Sequence, residues 1–247
     1  FNPYIKLPIG YGKLFYDQSV NWKFYTEPEE NLHGKKMYWP RGKVLGGSSS
    51  INAMVFARGS RNDFDEWGEH ASGWSWQDIE PFFRKMETWR GKSDQSRGQS
   101  GPVRVTDVST QAHPLTDCFL EATEQIGISK NPDYNTGNIE GSFVYQTNTH
   151  KGLRSSASNA YLSTIKKQKN LVVITRALVK KILFEGARAI GVEYSHKGNP
   201  KVVHATKEII LSAGALGSPQ LLQISGIGPA EKLKDLNLKL TTQYHLE

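Results

Sequence analysis

The chain reads as a mixed α/β or α+β protein, and three observations carry that prediction. A glycine-serine turn over residues 41–55 joins extended segments. A strand, small-residue turn and helix follow one another over 209–229. Between them, short β-branched runs from 171 to 205 alternate with turn residues, as strands do. At 247 residues the chain is long enough for one large domain or two smaller ones.

Taken in order, residues 1–60 hold tight turns and the glycine-serine loop, an extended arm more than a domain of its own. Trp76 to Met86 spaces Ile79, Phe82, Phe83 and Met86 as one helical face. Leu115 to Ile126 does the same with Leu115, Phe119, Ala122 and Ile126, ahead of a stop at Gly127. The polar run from Arg90 to Gly101 reads as an exposed loop, and Gly101-Pro102 opens a short strand through Val105. Leu171–Thr175 is too short and too β-branched for a helix. Leu178–Phe184, Ala189–Tyr194 and Val202–Ala205 then form an antiparallel meander with a turn at Lys197–Pro200. Ile209–Leu211 is a short buried strand. Ser218 and Pro219 suit the first turn of a helix over Gln220–Ser225 that Gly226 stops.

Composition narrows the function classes. There are 31 basic and 24 acidic residues, a net charge of +7. The charge is scattered, and its tight clusters, Lys166–Lys169 and Lys180–Lys181, carry no interleaved aromatics. That argues for a solvated surface and against nucleic acid as a partner. Peripheral contact with an anionic membrane fits the charge, but nothing else supports it. One cysteine, Cys118, excludes an internal disulfide framework. No run approaches the roughly 18 apolar residues of a membrane span. The opening Phe1-Asn2-Pro3-Tyr4 has neither a methionine nor a signal-peptide pattern, so the expectation is a chain missing its natural N-terminus, cytoplasmic or peripheral to a membrane.

The glycine pair Gly46-Gly47, the serines that follow it and Asn52 bring main-chain N–H groups and short polar side chains to one turn, a setting suited to phosphate or a flat polar ring. Gly42–Asn52 resembles the first signature of the glucose–methanol–choline oxidoreductases, flavoproteins that oxidise alcohols. Gly214–Gly228 resembles the second signature, with Ser218-Pro219 and Ser225-Gly226-Ile227-Gly228 at the expected spacing. The segments Gly152–Leu162, Asn21–Glu29 and Gly73–Trp76 fit as well, so the likeness runs from about residue 8 to about 238. The resemblance implies a discontinuous, FAD-binding nucleotide domain with an α+β substrate domain, incomplete at both ends of this chain. Residues 1–60 would be the FAD-contacting arm, 61–158 part of the substrate domain, 159–228 the return to the FAD domain, and 229–247 the start of a further segment with an atypical tail.

The resemblance also implies residue roles. Val44, Gly46, Gly47 and Ser48 would approach flavin and pyrophosphate, chiefly through backbone N–H groups. Asn52, Ala53, Met54 and Val55 would lie against the isoalloxazine, Ala53 standing where glycine is common. Val179 occupies the place where related flavoproteins bind adenine, although on spacing alone it is a core strand residue. Ala213 and Gly214 would face ribose and pyrophosphate. Arg41 would meet phosphate or solvent; Arg154 would tie the two domains together or pair with a surface acid. Ile51 stands where some members carry a histidine that tethers FAD covalently, so the expected FAD is non-covalent.

Activity follows by the same route: oxidation of a small primary alcohol, choline-like or other, by proton abstraction and hydride transfer to flavin N5, with oxygen or a quinone-type carrier as electron acceptor. The family's catalytic histidine lies far beyond position 247. The expectation is therefore no catalytic residue in this chain, which alone would be inactive. His33, His70, His113, His150, His196, His204 and His245 read as surface or structural residues, and no metal site is expected. Trp74, Trp76 and Trp89 read first as packing residues. Two alternatives stay open: an FAD-containing hydroxynitrile lyase on the same fold, and a fragment that binds no flavin.

Overall fold

A computed structural model of the chain describes residues 2–92 and 95–241. The opening residue Phe1, His245 and the rest of the tail from 242 onward lie outside the described residues. The chain divides into two compact units, 1–171 and 172–247.

The first unit begins with a short helix α1 (Tyr11–Leu14) and a two-stranded antiparallel ribbon, β1 (Phe24–Tyr25) and β2 (Tyr38–Trp39). Helices α2 (Arg61–His70) and α3 (Trp76–Met86) follow, and each starts on a serine. Ser60 accepts a hydrogen bond from Asn62 N, and Ser75 accepts from Asp78 N while its hydroxyl donates to Asp78. β3 (Glu87–Trp89) and β4 (Val103–Val105) pair in parallel. Helix α4 (Pro114–Gln125), the ribbon β5 (Thr149–His150) and β6 (Leu153–Arg154), a π-helical turn at Ser158–Leu162 and α5 (Ser163–Ile165) complete the unit. Two apolar clusters hold it. Phe56, Trp89, Val103, Val105 and Ala160 form one, with Met86 packed against it. Leu14, Val20 and Ile51 form the other, flanked by Tyr4, Ile5 and Val44.

The second unit is a meander of β7 (Ala177–Glu185), β8 (Arg188–His196) and β9 (Asn199–His204), followed by α6 (Gly214–Ile224) and α7 (Ala230–Asp235). Lys197 and Gly198 make the β8–β9 turn with φ of +53° and +87°, the sign a tight hairpin needs. α6 packs on β7 through Ser225, which is fully buried: it accepts from Ile182 N at 2.8 Å and donates to Leu221 O at 2.6 Å. Gly226 then closes the helix at φ +87°, its N–H on Gln223 O and the next N–H on Leu222 O. A Cβ at Gly226 would sit 2.4 Å from Lys239 O, so only glycine fits there.

Several sequence expectations change. Ile209–Leu211 is not a strand, and Ile210 is exposed; no strand of the described residues lies beside it to accept its main-chain hydrogen bonds. Leu171–Thr175 is likewise not a strand, for the same reason, with Val172 exposed. α6 begins five residues before Pro219, because the Ser218 hydroxyl accepts from Ala213 N and holds an extra turn ahead of the proline. Phe82 lies off the inward face of α3, which is Trp76, Ile79, Phe83 and Met86. On α4 the apolar row Leu115, Phe119, Ala122 and Ile126 faces outward, and Thr116, Leu120 and Thr123 turn in. Finally, Arg97 is buried inside the run expected to be an exposed loop.

Candidate cofactor site

The glycine-serine loop is held by its own hydroxyls. Gly46 and Gly47 have φ of +89° and +55°. A Cβ at Gly46 would lie 2.4 Å from Ser50 Oγ and 3.1 Å from Ser158, whereas Gly47 faces open space. A single 3₁₀ turn runs over Gly47–Ser50. Ser48 Oγ accepts from Gly42 N, Ser49 Oγ donates to Gly46 O, and Ser50 Oγ donates to Leu45 O. The three hydroxyls therefore brace the loop instead of lining a ligand face; Gly42 packs against the Gly47–Ser48 peptide, Gly47 N donates to Val44 O, and Ser48 is exposed. Val44 is half-buried against the Leu14 cluster, which also takes Ile51, 1% exposed.

Beyond the turn, Ala53 and Val55 are exposed while Met54 is buried with φ +64°. Such a conformation costs energy for a residue with a Cβ and persists where surroundings fix it. Here Met54 N donates to Asn52 Oδ1, and Met54 O accepts from Asn148 N. Arg154 fixes the same segment from behind. Its Nη1 reaches Asn52 O at 2.7 Å, Asn52 Oδ1 at 2.8 Å and Ser49 O at 3.2 Å, and its Nε reaches Ile5 O at 2.9 Å. Arg154 is 2% exposed, and its Nη2 has no partner among the described residues. Among the described residues no carboxylate neutralises it, and burial alone pulls its pKa down to about 10, so it stays charged at neutral pH. Instead of a surface acid, Arg154 binds the carbonyls of two distant segments.

Arg41 rests over the Trp39 ring and donates to Pro40 O. Trp76 and Trp89 are core residues; Trp74 is half-exposed against Trp67. A cleft of about 420 Å³ opens between Ser60–Asn62 and Thr136–Glu140, but none of its lining residues belongs to the glycine loop. In the second unit Val179 lies in β7 opposite Tyr194, beside a register shift, and Ala213 and Gly214 stand exposed at the start of α6, Gly214 with φ +82°.

Sequence reasoning missed the buried polar network that backs Met54–Arg58. Glu87 accepts from Arg58 Nη2 at 2.5 Å, from Arg97 Nε at 2.8 Å and from Gly98 N at 2.8 Å. Arg97 also holds Asp133 through two bonds and Gln146 through one, and covers the Trp89 ring at 4.0 Å. Asn135 and Tyr134 donate to Phe56 O, and Arg58 N donates to Asn135 Oδ1. No local pattern announces partners up to 79 residues apart.

With this geometry in view, comparison with known proteins is informative. The GMC oxidoreductase pattern matches residues 19–245. The chain belongs to that family. It is 41% identical over 237 residues to an oxygen-dependent choline dehydrogenase of Photobacterium profundum, covering 95% of this chain and 42% of that protein. It is 43% identical to the human mitochondrial choline dehydrogenase over 235 residues, 95% of this chain and 39% of the relative. Among solved structures, pyridoxine 4-oxidase from Mesorbium loti superposes with a TM-score of 0.92 at 30% identity, over 97% of this chain and 47% of that one. An FAD-dependent oxidoreductase from Chaetomium thermophilum gives 0.87 at 32%, over 97% and 43%. This GMC chain thus has the mixed helix-and-strand fold of its relatives and spans about two fifths of the length of the curated proteins it matches. Among its described residues no helix is long and apolar enough to cross a membrane, and no cluster of acidic, histidine or cysteine residues is arranged to hold a metal.

Proposed function

We propose that this chain is the coenzyme-contacting portion of an FAD-dependent oxidoreductase that oxidises a small primary alcohol. One observation carries the reading. The turn from Gly46 to Val55 exposes Ser48, Ala53 and Val55, and a buried arginine with no counter-charge among the described residues stands directly behind it. Such a surface suits a flat group rich in hydrogen-bond acceptors, and the family and its choline dehydrogenase relatives point to FAD as that group.

In this reading Gly46 and Ser48 bring main-chain N–H groups to the coenzyme beside Gly47, whose own N–H is held by Val44 O at 2.8 Å, with Val44 packing beneath them, and Asn52, Ala53, Met54 and Val55 form the wall beside its ring. Val179, Ala213 and Gly214 keep the roles the resemblance gives them, toward adenine for the first and toward ribose and pyrophosphate for the other two. The bound coenzyme supplies the hydride acceptor; this chain's residues bind and orient it, and the proton-accepting base is not among them. Ile51 makes the attachment non-covalent, since a buried aliphatic side chain offers no atom for a tether. Oxygen or a quinone-type carrier takes the electrons.

The full-length protein should purify yellow, and precipitation with acid should leave the flavin in the supernatant. Adding choline or another primary alcohol without oxygen should bleach the visible flavin band. A flavin that stays oxidised with every alcohol points to the lyase alternative, and a colourless protein that FAD does not reconstitute overturns the proposal.

A further inference from the structure

Asn52 is held in one orientation. Its Oδ1 accepts from two donors, Met54 N at 3.1 Å and Arg154 Nη1 at 2.8 Å. Turning the carboxamide over would put its NH₂ against both donors, so the flip is forbidden. Asn52 Nδ2 has no partner among the described residues and is not enclosed. The backbone of the same residue is pinned on both sides, with Asn52 N on Ser48 O and Asn52 O under Arg154 Nη1. The arginine that performs this is itself immobile, bound to Ile5 O and Ser49 O, with Lys6 O accepting its main-chain N–H.

We infer that Arg154 is a positioning residue: by occupying Asn52 Oδ1 it fixes Asn52 Nδ2 as an outward hydrogen-bond donor to an acceptor on the ring edge of the bound coenzyme. The inference rests on the FAD reading above and names the side chain that does the recognising together with the one that aims it. A guanidinium suits the task because one Nη reaches main-chain and side-chain oxygens of the same residue, which a lysine ammonium on a flexible stem does not hold in fixed geometry. The missing carboxylate is part of the arrangement. An acid beside Arg154 would compete with Asn52 Oδ1 for Nη1 and free the amide to turn.

The test measures FAD binding to the full-length apoprotein by quenching of flavin fluorescence, with the visible spectrum and unfolding temperature of each variant alongside. Asn52→Asp keeps the acceptors for Arg154 and Met54 but loses the donor. It should weaken FAD binding about tenfold and shift the bound flavin's visible band without lowering the unfolding temperature. Arg154→Lys should weaken binding by a similar factor, about tenfold, in the wild-type background and by less than about twofold when Asn52 is already leucine, the coupling expected of a residue that acts through another. Wild-type affinity and an unshifted band in Asn52→Asp, or an equal loss from Arg154→Lys in both backgrounds, overturns the inference while leaving the FAD reading intact. A wild-type protein that binds no FAD overturns both.

Discussion

Two buried arginine sites in the first unit solve the same electrostatic problem in opposite ways. Around Glu87, two cations (Arg58 and Arg97) face two carboxylates (Glu87 and Asp133), and the charges cancel within the protein. Behind the glycine loop, Arg154 has only carbonyl and amide oxygens, and its charge is left over. Taking an ion out of water costs several kcal/mol unless a partner repays it. The Glu87 site balances its charges and behaves as scaffold, gripping Phe56 and Arg58, although Arg58 Nε, like Arg154 Nη2, is buried without a partner among the described residues. At Arg154 neither a counter-charge nor a partner for Nη2 is found among the described residues. Within one unit, charge balance distinguishes the two sites where burial does not, since the arginines of both are closed to solvent.

The largest expected effect breaks the balanced site. Glu87→Gln leaves Arg58 and Arg97 facing each other with Asp133 as the remaining carboxylate, and should cost about 3–5 kcal/mol of unfolding free energy in urea. A loss under about 1 kcal/mol would show that the network is not the scaffold described here.

Arg154→Met sharpens the contrast. Removing the arginine strands the carbonyls of Ile5, Ser49 and Asn52, yet it also relieves an unpaired buried charge. The two terms offset, and flavin-free protein should lose only about 1–2 kcal/mol in the same titration. If this variant is less stable than Glu87→Gln, the distinction between the two sites fails.

Ser225→Ala supplies the uncharged reference in the second unit. It leaves Ile182 N–H buried without an acceptor and should cost about 1 kcal/mol, read from urea unfolding. A neutral result would mean water replaces the hydroxyl between β7 and α6.

How much of this was legible in the sequence depends on the range of the interaction. The helix 76–86, the hairpins of the meander and the glycine stop at 226 are written in local spacing, capping residues and turn chemistry, and the structure has them, with β9 starting at Asn199 inside the turn expected over Lys197–Pro200 and ending at His204. Strands at 171–175 and 209–211 were not decided locally, because an apolar run becomes a strand only beside a partner. Periodicity on α4 identified an apolar row but not what lies against it. Pro219 marks a first turn in most helices, and one long-reaching hydroxyl, Ser218, was enough to displace the start. In the site, the glycine pair and Asn52 stand out in sequence, as does an arginine at 154. That Arg154 binds Asn52 does not, since 102 residues separate them. Arg97 was hidden more thoroughly, because a polar run reads as surface unless its counter-charges at 87 and 133 are known.

The smallest expected effect extends the comparison to a titrating group. His150 in β5 is half-buried, and burial together with Lys151, Arg104 and Arg90 holds its pKa below the ordinary 6.5. As pH falls below about 6.5 the unfolded chain takes up this proton before the folded one does, so folding weakens in that interval. Stability tied to His150 is thus present at neutral pH and declines on acidification through the unfolded value toward the lower folded one. His150→Gln should flatten that part of the pH–stability curve relative to wild type, and the His150 ring signal should titrate with a midpoint under 6.5 by NMR. A midpoint at or above 6.5 would mean that the three cations are screened, and that surplus positive charge in this unit is felt only where, as at Arg154, water is shut out.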